Sequence, residues 1–313
     1  MSVQVIRYKD RAEWLEGRKG GIGSSEIGTI LGANPWETPY QLWRRKKGID
    51  PPKAETAAMK AGHYLEDAVA HFFADSTGAE IIKRSKDDFL VVNSLREYLR
   101  VSPDRTFWLP NQVHNESNKA ILECKTTKMP VDAESVPQHW YCQLQWQLGA
   151  AEMDSGALAW LTQGSDFGFS SYDFDPEFFK FMLEEADRFW TDYIIGDGVP
   201  DNASVEDVML RSPRSAAGKS LEATEEISNI AAQLIEKKAT AAEDAAAVEE
   251  LADKLKLYMG DAEVLTYQGR IIATWKSNKD KVQFDGKKFI VDHPDMVKPY
   301  MKTAPGDRRF LLK

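Results

Sequence analysis

The sequence predicts an α/β protein, because segments with helical spacing of apolar residues alternate with short β-like runs. Apolar residues make up 42% and charged residues 28% of the 313, a balance that lets the chain bury a core. The pattern breaks at 196–220, where GDGVPDNASVED and RSPRSAAGKS supply turn formers and few apolar residues. The expected division is a core over 1–198, a linker over 199–220 and a carboxy-terminal region over 221–313.

Residues 10–17 (DRAEWLEG) have helical character. In GIGSSEIGTILG, Ser24 or Ser25 can cap a short helix that ends near Gly32. NPWETP is a turn, and Thr38 caps YQLWRRKK, closed by Gly48; IDPPK is a loop. Residues 54–77 predict a long helix with Met59, Leu65, Val69, Phe72 and Phe73 on its apolar face. Runs at 79–83, 88–92, 97–101 and 119–125 read as strands, and 109–118 (LPNQVHNESN) as a polar hairpin tip. Pro137 opens a helix to about 149 that is rich in Trp and Gln. Strands at 156–162 and 167–173 follow, then a helix from Asp175-Pro176 to about 195. Past the break, Ile227, Ile230, Leu234, Val248, Leu251 and Leu255 keep a helical period to Gly260, which fits one long helix or a helical hairpin. Strand character returns at 262–276 and 281–284, before a short helix and the basic ending GDRRFLLK.

No stretch approaches the roughly eighteen apolar residues of a membrane helix. The start, MSVQVIRYKD, lacks a basic-then-apolar leader, so the expectation is a cytoplasmic protein with no membrane partner. The two cysteines, Cys124 and Cys142, form no CxxC and no zinc spacing, which excludes a disulfide framework and a four-cysteine cluster. Cys124 is expected as buried packing, and His63, His71 and His139 as structural or exposed. A net charge of −9 looks wrong for gripping phosphates, but the charge is uneven. Residues 1–60 and 261–313 each hold eleven Lys/Arg against seven Asp/Glu, whereas 221–260 holds nine acids against four bases. Any nucleic acid therefore meets a limited basic surface or an enclosed channel. The run Arg44-Arg45-Lys46-Lys47 on a helix end is the best backbone-contact candidate, with Trp36 and Trp43 nearby for stacking, although Trp43 also suits a core position.

Two segments carry the chemistry. Val101-Ser102-Pro103-Asp104-Arg105 puts an acid at a strand end past a proline. In Ala120-Ile121-Leu122-Glu123-Cys124-Lys125, residues two apart share a strand face, so Glu123 and Lys125 project together, opposite Leu122 and Cys124. Two carboxylates and a lysine could hold a hard cation and activate water for phosphodiester hydrolysis. An exposed ion pair and a plain SPD turn have the same residue types, so spacing alone leaves both readings open.

Further motifs accompany these. Trp14-x-x-x-Arg18-x-Gly20, Ile22-x-x-Ser25-Glu26, Gly62-His63-Tyr64-Leu65-Glu66, Ser102-Pro103-Asp104, Leu122-Glu123-Cys124-Lys125 and Gln143-Leu144-Gln145 occur in that order. Together they resemble the lambda-exonuclease family, also called YqaJ-like viral recombinases, within the PD-(D/E)XK nuclease superfamily. The resemblance covers about residues 10–195, and Arg308-Arg309-Phe310 is similar to the ending of longer phage members. It implies a central mixed sheet flanked by helices, with residues 221–313 as a helical and β appendage that the compact lambda enzyme lacks. It further implies a magnesium-dependent exonuclease, manganese substituting, that degrades duplex DNA 5′ to 3′ and leaves 3′ overhangs for recombination. Asp104, Glu123 and the backbone carbonyl of Cys124 would bind the metal, and Lys125 would position water. Glu66 would act through water around the ion, and Gln143 would steady the network, with either Gln143 or Gln145 spare. Trp14, Arg18 and Ser25 belong to the phosphate-handling segment. The implied partners are DNA, a ring of identical subunits and a single-strand annealing protein. An endonuclease of the same superfamily and a non-catalytic DNA-binding protein on the same fold are the alternatives; the complete Asp/Glu/Lys set argues against the latter.

Overall fold

The computed structural model describes residues 3–51, 56–82, 88–110, 112–217, 220–268, 270–278, 284 and 286–302. The chain forms two compact units, Met1–Arg211 and Ser212–Lys313.

In the first unit a five-stranded sheet has the order β2 (Glu80–Ile82), β5 (Arg105–Trp108), β6 (Ala120–Thr127), β7 (Ser155–Thr162) and β8 (Asp166–Asp173). Only the β6–β7 pair is parallel. A parallel pair needs a long crossover, and α5 (Gln138–Ala151) provides it. β1 (Val3–Tyr8), β3 (Asp88–Asn93) and β4 (Arg96–Val101) form a second, antiparallel sheet. Helices α1 (Arg11–Lys19), α2 (Ser24–Ile30), α3 (Pro39–Lys46), α4 (Ala57–Thr77) and α6 (Pro176–Arg188) complete the layers, and α6 runs into a wider helical turn over Phe189–Ile195.

The alternation of β6 sorts its two faces. Leu122 and Cys124 pack with Val69, Ala70 and Phe73 of α4. Ile121 packs on the other side with Trp140, Leu144 and Leu148 of α5. Glu123 and Lys125 share that second face by the same two-residue period. A further core joins Trp146 and Cys142 of α5 to Val91, Leu99 and Val101 of the second sheet and to Ile22 and Ile27. α5 is thus buried nearly all round, as a helix between two sheets must be.

Caps fix the helix ends. Thr38 accepts from the Gln41 amide in a reciprocal capping box, and Thr56 accepts from the Met59 amide. Gly78, at φ 70°, closes α4 in the left-handed region. Gly21 is required for another reason, since a Cβ there would stand 2.3 Å from the Tyr98 carbonyl. That approach lets Ile22 donate to Tyr98 O at 2.6 Å and pins the start of α2 to β4.

Two strands went unforeseen in the sequence. β1 and β5 are short, and β5 lies directly between Asp104 and the polar stretch after Trp108. The first unit also extends past 198: α7 (Val205–Arg211) lies inside the stretch read as linker. There Asp207 is fully buried and accepts from the Thr38 hydroxyl at 2.9 Å. In the second unit, α8 (Glu225–Met259) is one continuous 35-residue helix, followed by the hairpin β9 (Val264–Tyr267) and β10 (Arg270–Thr274). Short helices α9 (Gly286–Asp292) and α10 (Pro294–Val297) come next. Most of the strand expected at 281–284, and the basic ending 306–313, lie outside the described residues. Among the described residues, no helix is long and apolar enough to cross a membrane.

Leu122, fully buried at the centre of β6, should anchor the first unit. Leu122→Ala is expected to cost about 2–5 kcal/mol of stability, read as a lower urea midpoint at unchanged slope.

Candidate active site

A cleft of about 130 Å³ opens between α1, the start of α2, α4 and β4. Trp14, Arg18, Ser25, Glu66, Asp104 and Gln143 line it, so one cavity collects residues from across 130 positions of sequence. Ser24, His63 and Ser102 also line it, as do Arg11 and Arg100, which nothing in their local sequence set apart.

Asp104 sits in the turn between β4 and β5, and its Oδ2 accepts from the Cys124 amide at 2.9 Å. Burial, together with the charges of Glu123 and Glu66, pushes its carboxyl well above the usual carboxylate range, and Lys125 only partly opposes this. Glu123 is 3% exposed, and its two oxygens are separately held. Oε1 accepts from Lys125 Nζ at 2.8 Å and from Gln143 Nε2, while Oε2 accepts from Gln147 Nε2 at 2.8 Å. Lys125 Nζ also donates to Gln143 Oε1 at 2.7 Å, closing a triangle. Gln147 went unnoticed in the sequence, although it follows Gln143 by four residues, the spacing that places side chains on one helix face. Gln145 faces away, bonding Asp173 O and the Asp175 amide.

Glu66 lies on α4 with His63 one turn earlier, Nδ1 to Oε1 at 3.0 Å. His63 is exposed, as expected, and its exposed face belongs to the cleft wall. Arg105 donates to Asp67 Oδ1 at 2.5 Å and approaches Glu66 Oε2 at 4.0 Å. Cys124 is buried, and burial pushes its thiol up, which leaves it inert as a nucleophile.

The chemistry of this set fits a hard divalent cation. Glu123 and Glu66 both bear on Asp104, whose charge is unfavourable without added positive charge. Among the described residues, no group of three or more His, Cys, Asp or Glu side chains is placed to hold a metal ion. Magnesium does not need such a group, since it takes one or two carboxylates and fills its shell with water and phosphate oxygens.

Two expectations need correction. The basic run on α3 is consumed internally. Arg44 pairs with both oxygens of Asp50 at 2.7 and 2.8 Å, and Arg45 pairs with Glu37 and Glu26 at 2.9 and 3.0 Å. Lys46 reaches Glu26 at 2.8 Å, and Lys47 donates to Ile194 O at 2.8 Å. Acids elsewhere in the chain thus pair with Arg44, Arg45 and Lys46, while backbone carbonyls take Lys47. Trp14 is the second correction: it is 3% exposed, donates to Phe89 O at 3.0 Å and packs with Leu90 and Val92. It backs the cleft by supporting Arg11 and Arg18, whose guanidinium carbons lie 3.8 and 4.7 Å from its ring centroid. Trp43 is half-buried and donates to Tyr193 O, whereas Trp36 is largely exposed.

Arg18 reaches Ser25 Oγ at 3.5 Å, and burial pulls its guanidinium below its usual range while Glu26 works the other way. Glu26 itself is buried. Burial alone would raise its carboxyl, yet Lys46, Arg45 and Arg18 outweigh it and hold the group at about 2. The same burial pulls the Lys46 ammonium down, with Glu26 opposing.

A central mixed sheet, a crossover helix and flanking helices define a mixed α/β protein. A family profile described as a YqaJ-like viral recombinase domain matches residues 13–154. The uncharacterized protein YqaJ of Bacillus subtilis (strain 168) is 30% identical over 318 residues, spanning 97% of this chain and 94% of that protein. The chain belongs to the YqaJ-like viral recombinase family. Similar solved structures include an alkaline exonuclease (LHK-Exo) from Laribacter hongkongensis, with TM-score 0.44 and 14% identity over 64% of this chain and 96% of that one. A phage related exonuclease from Haemophilus somnus 129PT has TM-score 0.41 and 11% identity over 55% and 93%.

The Glu26 cluster makes stability depend on acid. Its folded value of about 2 lies below the ordinary 4.5, so its contribution is full above about pH 4.5 and fades as pH falls towards 2. Glu26→Gln should flatten the stability profile in that window. At pH 7 it should cost about 3–5 kcal/mol by leaving buried cations unpaired, as chemical denaturation at a series of pH values would report.

Proposed function

We propose that this chain is a magnesium-dependent deoxyribonuclease that degrades linear duplex DNA from 5′ ends and leaves 3′ single-stranded overhangs for recombination. One observation carries the reading: Asp104, Gln143, Arg18 and Ser25 line a single cleft, and Gln143 hydrogen-bonds both Glu123 and Lys125. Metal carboxylates, a water-orienting cation and a phosphate-binding wall are the parts that phosphodiester hydrolysis needs.

Asp104 and Glu123, with the Cys124 carbonyl, would hold the ion, and manganese would serve in its place. When bound, the ion supplies Lewis acidity to a phosphoryl oxygen and offsets charge as the bond breaks. Lys125 orients the attacking water and stabilises the developing negative charge. Gln143 keeps Lys125 and Glu123 in register, while Glu66 orders solvent on the opposite wall. Arg18 and Ser25 take a terminal phosphate, a guanidinium and a hydroxyl being suited to its oxygens. A ring of identical subunits around DNA would reconcile a net charge of −9 with phosphate binding, and a single-strand annealing protein would receive the overhang.

End-labelled linear duplex, with and without a 5′-phosphate, should be degraded only in the presence of magnesium or manganese, and closed circular duplex should survive. Cutting of closed circles would mark an endonuclease instead. Lys125→Ala should lower the rate by about 10²–10³-fold, the range for losing one group that stabilises transition-state charge. Full magnesium-dependent cleavage by that variant would refute the assignment. Arg18→Ala should erase most of the preference for 5′-phosphorylated ends, compared by kcat/KM on the two substrates.

A further inference from the structure

Gln147 is fully buried on α5, and no part of the hydrolytic scheme above uses it. Its amide nitrogen donates to Glu123 Oε2 at 2.8 Å and contacts Ser24 Oγ at 3.3 Å. Its carbonyl, Oε1, is buried and finds no hydrogen-bond partner among the described residues. A buried unsatisfied acceptor is costly, and its persistence asks for a reason. Turning the amide over would aim the carbonyl at the Glu123 carboxylate, acceptor against acceptor. The orientation is therefore imposed by Glu123, and the amide in turn restrains Glu123.

We infer that Gln147 is a positioning residue that sets the rotation of the Glu123 carboxylate for metal binding and ties it to α2, the helix carrying Ser25. The inference rests on the proposed metal site. Lys125 and Gln143 both act on Oε1, so they restrain one oxygen and leave the carboxylate free to pivot about it. Gln147 supplies the second point, on Oε2, and the two held oxygens together with the carboxyl carbon fix the plane of the group. The link runs through Ser24 to the neighbour of the residue proposed to bind phosphate, so metal ligand and phosphate wall share one buried amide.

Mn²⁺ binding to the full-length chain without DNA, followed by calorimetry or by the Mn²⁺ resonance signal, tests this apart from catalysis. Gln147→Met keeps the volume and removes the amide. It should weaken Mn²⁺ binding about tenfold, roughly 1.4 kcal/mol, while its melting temperature confirms the fold. Ser24→Ala, a smaller change, should weaken binding about threefold by releasing the amide from α2. Glu123→Gln should abolish binding at the site. If the wild-type chain binds no Mn²⁺, the metal reading fails and this inference with it. If wild type binds and Glu123→Gln does not, but folded Gln147→Met binds like wild type, only the positioning role is overturned. Should Gln147→Met not fold, wild-type affinity in Ser24→Ala overturns it equally.

Discussion

The burial of one carboxylate constrains everything around the cleft. Glu123 sits at 3% exposure in the middle of a sheet, where an unpaired charge would be prohibitively costly. The chain answers with a lysine from the same strand face and two glutamines one helical turn apart. These donors can meet only if β6 and β7 run parallel with α5 crossing between them, because the crossover lays the helix over the face that Glu123 and Lys125 share. The mixed sheet and the polar cage are therefore one requirement seen at two scales.

A second buried acid organises the opposite wall. Glu26 gathers Lys46 and Arg45 from α3 and feels Arg18 from α1, so three helices converge on one carboxylate. This explains how an acidic chain can show a basic run without offering it to a partner. Arg18 alone among these cations lines the cleft, with Trp14 beneath it and Ser25 beside it.

Much of this was legible in residue order, for definite reasons. The two-residue period of a strand sorted Glu123 and Lys125 from Leu122 and Cys124, and the packing on α4 and α5 follows that sorting. Capping residues marked α3 and α6, whereas α2 is capped at Gly23 rather than by Ser24 or Ser25, and the apolar period of α8 left one helix or a hairpin open. What escaped was non-local. The β5 strand is four residues long and earns its place only by pairing with β2 and β6. Arg44 and Arg45 look free until Asp50, Glu37 and Glu26 fold back onto them. Gln147 resembles any polar helical residue until a sheet supplies its acceptor. Pairing with distant partners leaves no local periodicity to read.

The indole of Trp14 shows what the cleft can recognise. With two guanidinium groups near its ring and the rest packed on Leu90 and Val92, it has no free platform for a nucleobase. Under the proposed function, that wall would meet the sugar–phosphate edge of a strand and be blind to the letters it carries, as suits an enzyme that must chew through any sequence it is handed.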